Sequence, residues 1–446
     1  MGAASNLNRA HCASTLFLAC LCGYLYVRSR PLQTARLRRG SPFSERRLSM
    51  VLSADPGDMI GGFSEAAVLL GVVAELEAVD VAEYDLFCPT AHLGRLAGAE
   101  VLIVTTGIGA TRAALCLDSL LRRYGSQTKE ILFLGTSGGS PAVGGVLDSS
   151  DCSAARPGDA EKLVRLGDIC VSPFATNWDC QRCFWASEPY QAPQPGGAAP
   201  PLASPERVRN ACAAPPCSLH DRWDLFGDFG CSYFTEPSLA DEVLAATRAL
   251  PRTPRAPPEL EVFEAAFWRT TAEARGAEGW GPAYEAARSR DARAWGYDVC
   301  GEATSMTYWN GAPYDELART YVAELMRETS EDPRFHAANS TSKADVLAIS
   351  AMEGSGWMSV LKLSETYLNF DHIPSANIRG VSDYTHDPVV RAGDDLWLED
   401  ATWVSATDRV NATRAGYRFS IRTTSTAVLA LFDARRRAAS SGSTKK

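Results

Sequence analysis

The chain has no apolar stretch of roughly 20 residues, the length a bilayer-spanning helix needs. Its apolar run Thr15–Val27 (TLFLACLCGYLYV) stops at thirteen. No internal repeat is visible, and no Gly-rich segment has the complete G-x-G-x-x-G spacing of a dinucleotide-binding turn. Beyond the head, acidic residues outnumber basic ones. Residues 1–47 hold eight Arg against the single acid Glu45, a net of +7, so a total of −9 leaves −16 on the remainder. A body that acidic suits a soluble protein and argues against nucleic acid as a partner, because phosphate backbones demand basic surface.

What is present begins with that head. A thirteen-residue apolar core with Arg9 before it and Arg28 and Arg30 behind it fits a signal peptide better than a membrane span. The Arg-rich, acid-poor continuation suits a second, organelle-directed element. No clean small-x-small cleavage site follows, so a signal anchor at the N-terminus stays open. Residues 1–49 are therefore read as a targeting or anchor segment, and the expected location is the secretory route, the cell exterior or an organelle.

Thirteen cysteines are many for a cytosolic enzyme. Cys180, Cys183, Cys212, Cys217 and Cys231 fall within about fifty residues, a density that fits either zinc or disulfides. Irregular spacing, an intervening Pro-rich loop and the signal-like head favour disulfides. The sequons Asn339-Ser-Thr and Asn411-Ala-Thr matter only on the secretory route.

The length allows one large domain or two ordinary ones. Within 51–185, Glu100–Thr105 and Ile131–Leu134 read as buried strands, Ile169–Val171 as another, and Thr111–Leu121 as a helix with Leu117, Leu120 and Leu121 on one face. Residues 186–218 are crowded with Pro, Ala and Gly, and 219–300 are rich in aromatics with helical stretches. Alternation returns in 301–435, with strands at Asp345–Ser350 and Ala376–Val381, a helix from Glu353 and a last helix near Thr423–Ala434. Such alternation predicts an α/β fold with a mainly parallel sheet covered on both faces. The body spans 50–435 with an insertion at 186–300, and 436–446 reads as a frayed tail.

Two Gly-rich turns are expected after strands, at Thr105–Gly109 (TTGIG) and Gly135–Gly139 (GTSGG), where backbone N–H groups attract anions or polar ligand oxygens. Acidic chemistry concentrates later. Met352-Glu353-Gly354-Ser355-Gly356 places Glu353 at a strand-to-helix turn, and Arg379-Gly-Val-Ser382-Asp383 ends the next strand. Each acid has an ordinary alternative as a helix-dipole partner or an N-cap.

Taken in order, TTGIG, GTSGG, LGD at Leu166–Asp168, MEGS and RGVSD resemble the nucleoside phosphorylase and nucleosidase superfamily, of purine nucleoside phosphorylase and uridine phosphorylase type. TYWNG at Thr307–Gly311 is similar to a motif of its purine nucleoside permease and bark-storage branches, which tend to carry signal peptides. The resemblance covers about 51–180 and 300–435. It implies a three-layer α/β/α sandwich around a twisted mixed sheet, a nucleoside as small-molecule partner, and no cofactor beyond phosphate as a co-substrate. A homo-oligomer is also left open.

The resemblance also implies roles. Asp383 matches the general acid that protonates N7 of a purine, with Ser382 orienting it. Glu353 matches the carboxylate that accepts the ribose hydroxyls, with Met352 packing on the sugar. Tyr308 lies near the base-stacking position, and Thr106 with the amides of Gly107 and Gly109 would receive the nucleophile. One departure bears on mechanism: phosphorylases place an Arg near Asp58, and hydrolytic nucleosidases a Glu. A carboxylate at Asp58 suits water activation, although Asp-Pro-Gly is also an ordinary surface turn. The expected activity is cleavage of a purine N-glycosidic bond in nucleoside metabolism or salvage, by hydrolysis in preference to phosphorolysis. The alternative is a non-catalytic nucleoside-binding, uptake or storage protein of the same fold.

Overall fold

Strand β1 (Leu48–Ser53) is buried along its whole length, and its alternate side chains enter two different cores. The structure, a computed structural model, describes residues 48–59, 62–148, 153–154, 160–177, 182–183, 217–218, 232–274, 279–306, 310–330, 345–368, 371–391 and 397–442. Residues 48–446 form one unit.

The chain continues through α1 (Ala67–Leu70), β2 (Ala74–Ala78), β3 (Thr90–Leu96), β4 (Ala99–Thr105), α2 (Ala110–Tyr124) and β5 (Thr128–Gly139). The short β6 (Leu147–Asp148) and β7 (Ser153–Ala154) form a ribbon, followed by β8 (Ile169–Ser172) and β9 (Phe174–Asn177). A second ribbon pairs β10 (Arg182–Cys183) with β11 (Cys217–Ser218). Then come β12 (Ser232–Phe234), α3 (Ser238–Arg248), α4 (Pro258–Ala274), α5 (Trp280–Ala287), β13 (Ala294–Gly296), β14 (Cys300–Thr304) and α6 (Ala312–Ser330). The last part holds β15 (Leu347–Ala351), α7 (Gly354–Leu368), β16 (Ser375–Tyr384), the ribbon β17 (Val389–Arg391) with β18 (Trp397–Glu399), and α8 (Ala406–Gly442).

Twelve strands make one mixed sheet with the order β12-β9-β14-β15-β5-β1-β4-β3-β2, and β16 branches from β5 to reach β8 and β13. β5 pairs in parallel with β1 and β16, and its end pairs antiparallel with β15. Period-2 alternation distributes each strand to both faces. Met50, Leu52 and Phe133 pack with Leu117 and Leu120 of α2 and Trp357 of α7, whereas Val51, Leu132 and Leu134 pack with Val243 of α3, Val322 of α6 and Val428 of α8. Helices on both faces make the three-layer α/β/α sandwich. Phe133 stacks on Trp357 with ring centroids 5.4 Å apart, a pairing that holds α7 against the sheet.

Several expectations are corrected. Gly135–Gly139 is not a turn: β5 stays extended to Gly139, because β16 pairs with it from Ser375↔Ile131 to Tyr384↔Gly139. Gly135 is needed for close approach, since a Cβ there would collide with Arg379 Nη1. The segment also has G-x-S-x-G spacing, yet no strand-turn-helix elbow forms, and Ser137 Oγ donates to the Gly380 carbonyl at 3.1 Å. The tail expected to fray from residue 436 is helical to Gly442; Arg435 fastens it to Glu130 and Glu242, each at 2.6 Å.

The described part of the insertion belongs to the core. Trp268 stacks on Trp280 at 5.4 Å, and Phe267 meets Tyr384 at 4.6 Å. Glu264 is fully buried and accepts from Arg165 (2.8 Å), the Leu166 amide (2.8 Å) and Tyr384 Oη (3.1 Å). Burial pushes its carboxyl up, against the pull of Arg165. Asp168 of the LGD motif is equally buried; burial pushes its carboxyl up, but Arg290 together with the amides of Arg165 and Arg293 holds it below the ordinary value.

Among the described residues, Cys88 bridges Cys116 and Cys170 bridges Cys300. Neither pair belongs to the cysteine cluster singled out above. Of that cluster, Cys183 and Cys217 are register partners in the β10–β11 ribbon, and Cys180, Cys212 and Cys231 lie outside the described residues. So does the head, and no described helix is long and apolar enough to cross a membrane. No group of His, Cys, Asp or Glu among the described residues can hold a metal ion.

Candidate functional site

The segments that follow β1, β4 and β15 meet β5 and β16, where Glu65, Gly109, Glu353, Thr136 and Arg379 are joined by hydrogen bonds and an ion pair. Glu353 stands in the two-residue link between β15 and α7 and is 4% exposed. Its Oε1 accepts the Gly109 amide at 3.0 Å, and its Oε2 lies 3.1 Å from Arg379 Nη2. Gly109 is the N-cap of α2, so the carboxylate sits where the helix dipole is positive. The approach requires glycine on the other helix too, because a Cβ at Gly356 would collide with the Ala110 carbonyl. Two helix N-termini are thereby wedged together around one carboxylate.

Arg379 on β16 is 1% exposed. Its Nε donates to Glu302 Oε2 at 2.8 Å, and its guanidinium lies 4.8 Å from the Phe133 ring centroid. Burial opposes its charge, but Glu302 and Glu353 hold its pKa above the ordinary arginine value. Glu302 also accepts from Thr304 Oγ1 (2.6 Å), the Gly354 amide (2.9 Å) and Asn377 Nδ2. Its oxygens are spent inside the protein, which makes Glu302 a positioning residue for Arg379 and for the first turn of α7.

A third buried carboxylate, Glu65, enters from the loop between β1 and α1 and is 2% exposed. It accepts from the amides of Ala54 (2.8 Å), Asp55 (3.1 Å) and Thr136 (2.7 Å), and from Thr136 Oγ1 (2.9 Å). Burial pushes its carboxyl up, and the nearby charge of Glu353 pushes it further; the Thr136 amide and Arg379 offset this in part. The carboxyl of Glu65 therefore holds its proton more tightly than an ordinary glutamate.

On β16, the register against β5 shifts between Val381 and Asp383. Ser382 is the extra residue of a β-bulge, a device that re-aims side chains at strand ends. Ser382 Oγ donates to Asp383 Oδ1 at 2.6 Å, with the Ser137 carbonyl a second acceptor at 3.1 Å. Asp383 is partly exposed.

The other sequence-derived candidates fall out unevenly. Thr106 is 1% exposed, its amide donates to the Ser53 carbonyl (2.7 Å), and its hydroxyl donates to the Gly107 carbonyl (3.0 Å). Gly107 lies beneath the Arg112 side chain. The Gly109 amide donates to Glu353. Met352 is partly exposed beside Glu353. Asp58 is exposed, and its amide donates to Asp55 Oδ1 at 2.7 Å. Asp55 in turn is buried under Tyr417 of α8, whose hydroxyl donates to it. The Asp55–Asp58 segment is thus a turn organised by Asp55, and Asp55 and Glu65, not Asp58, are the carboxylates of this loop that reach the interior. Tyr308 lies outside the described residues.

Sequence reasoning missed Glu65, Glu302 and any role for Arg379. A signal for Glu65 exists: Ser64-Glu65 directly precedes the apolar run Ala66–Leu70. Glu302 carries none, because only the sheet order brings β14 near Arg379.

No family model matches the chain, and no curated protein does. Solved structures do. The chain is similar to the 5′-methylthioadenosine/S-adenosylhomocysteine nucleosidase from Neisseria meningitidis in complex with methylthio-immucillin-A, at 14% identity and a TM-score of 0.41, covering 86% of this chain and 98% of that one. The corresponding nucleosidase from Colwellia psychrerythraea, in complex with adenine, is 15% identical with a TM-score of 0.39, over 87% and 96%. Futalosine hydrolase of Helicobacter pylori is 11% identical with a TM-score of 0.37, over 87% and 97%.

Proposed function

We propose that the chain hydrolyses the N-glycosidic bond of a purine nucleoside. The observation that carries this reading is the pairing of Glu353 with Glu65, two buried carboxylates at one sheet edge, one bound by Arg379 and the Gly109 amide, the other with its pKa raised by burial. Glycosidic cleavage passes through a transition state with positive charge on the sugar ring, which a fixed carboxylate stabilises. Glu353 is that carboxylate and also accepts ribose hydroxyls. Glu65, with its raised pKa, takes a proton from the attacking water. Asp383, steadied by Ser382, delivers a proton to the departing base, since a neutral purine leaves poorly.

Phosphate fits less well as the nucleophile. A phosphate dianion needs positive charge, best from a bidentate Arg. Arg379 already serves Glu302 and Glu353, and an incoming dianion would face Glu65 as well. Incubating the purified chain with a nucleoside panel, with and without phosphate, tests the proposal. Free base and free ribose, at a rate insensitive to phosphate, are expected. Ribose 1-phosphate would restore phosphorolysis, and binding without base release would favour a nucleoside-binding protein.

A further inference from the structure

Asn411 lies in the second turn of α8, one helical stretch before Tyr417 packs onto Asp55. It is exposed, as are Thr413 and Arg414, and Val410 beside it is 49% exposed. Of the Asn411-Ala412-Thr413 triplet, only Ala412 turns inward, at 4% exposure. The Asn411 carboxamide meets no hydrogen-bond partner among the described residues. The triplet is therefore an acceptor sequence on an unencumbered helix face, and the chemistry of the proposed catalytic site makes no use of it.

The second observation concerns where the chain folds. Cys88, Cys116, Cys170 and Cys300 are each at most 6% exposed, and both pairs are bridged. Bridges so deep form while the chain folds, not at the finished surface, and they form in oxidising compartments. In eukaryotic cells that compartment also holds the machinery of N-glycosylation. The apolar Thr15–Val27 run with its basic flanks is a means of entering it.

We propose that Asn411 carries an N-linked glycan. The donor is a lipid diphosphate-linked oligosaccharide. The Asn411 carboxamide nitrogen bonds to the anomeric carbon of the donor's first sugar and loses a proton. The anomeric C–O bond to the diphosphate breaks, and the lipid diphosphate leaves. The transfer occurs on extended chain, before α8 winds up. The Thr413 hydroxyl, which in the finished helix donates to the Arg409 carbonyl at 2.9 Å, is then free for the transferase. Once folded, a bulky hydrophilic group on this turn keeps a second protein from seating over residues 410–414.

Peptide mapping tests this without reference to activity. The full chain, with its own N-terminal segment, is expressed in a eukaryotic host and purified without reductant. The expected result is a hexosamine-initiated glycan on the Asn411 peptide, conversion of Asn411 to Asp on enzymatic release, and loss of the glycan in both N411Q and T413A. A bare Asn411 in protein whose two bridges have formed would overturn the proposal. So would recovery of Cys88, Cys116, Cys170 and Cys300 as free thiols, or a glycan at this peptide that survives T413A.

Discussion

Gly109 and Glu353 are 244 residues apart in sequence, and a 3.0 Å hydrogen bond joins the amide of one to the carboxylate of the other. The contact turns the N-terminus of α2 into a holder for a side chain of α7's leading turn. Replacing Glu353 with Gln keeps the shape and removes the charge. In the proposed reaction, turnover should fall by about 10²-fold or more, the scale of losing one preorganised electrostatic partner. Affinity for free purine base should stay within about threefold, because Glu353 addresses the sugar. Steady-state kinetics and calorimetry read the two separately, and an equal loss in both would remove Glu353 from the sugar site.

The two carboxylates of the first loop separate cleanly. Asp58→Ala should change turnover by less than about twofold, as for an exposed turn residue, and Glu65→Gln should lower it by roughly 10²-fold. The pH dependence follows from the raised carboxyl of Glu65. As a base it must be ionised, so the rate rises with pH through a value above the ordinary 4.5, and Glu65→Gln should erase that limb. Stability runs the opposite way. A carboxyl that binds its proton more tightly when folded contributes fully below 4.5, and that contribution is lost as pH rises through the folded value. Denaturant midpoints across pH should therefore decline less steeply in the Gln variant; a parallel decline would put the titration elsewhere.

Asp383→Asn keeps the bond from Ser382 and removes the transferable proton. Turnover should drop by about 10²-fold or more, with little change in melting temperature, because the side chain is partly exposed. An unchanged rate would mean that another group protonates the base.

Much of this was legible in sequence because the signals are local. The run Glu100–Thr105, the periodic leucines of α2 and the turn at Met352–Glu353 each declare their element within ten residues. Gly135–Gly139 misled because glycine marks a turn and a close approach equally well; the neighbouring Arg379, more than two hundred residues away, decides between them. Glu65 was passed over for Asp58 because adjacency to a strand end is visible in sequence, whereas burial is not. The bridges formed by Cys88, Cys116, Cys170 and Cys300 have no sequence signature: each pair is set by which strand or helix lies beside which.

The insertion makes its own prediction. Glu264→Ala would leave Arg165, 5% exposed, without its carboxylate, a loss of roughly 3–5 kcal/mol. Glu285→Ala, which removes the exposed pair with Arg288 at the end of α5, should cost far less, because solvent screens that pair. Chemical denaturation compares them, and equal small effects would show that the insertion does not brace the end of β16.

Removing each disulfide should also be unequal. The Cys170–Cys300 bridge spans 130 residues and Cys88–Cys116 spans 28. Cross-links that close longer loops restrict the unfolded chain more, so Cys300→Ser should cost more than Cys116→Ser, each on the order of 2–5 kcal/mol. Guanidinium midpoints under non-reducing conditions give the order, and a reversed order would place the difference in local packing.

The position of β5 has a consequence for the order in which the chain is made. One edge of Ile131–Leu134 is covered by β1, already synthesised, but the other waits for β16, whose residues 375–384 emerge near the end of translation. Through that interval the nascent chain presents four consecutive large apolar residues on an unpaired strand edge, the kind of surface that recruits other strands. The gap in sequence between β5 and its last partner is thus a period of exposure, and it ends only when the strand bearing Arg379 and Asp383 docks.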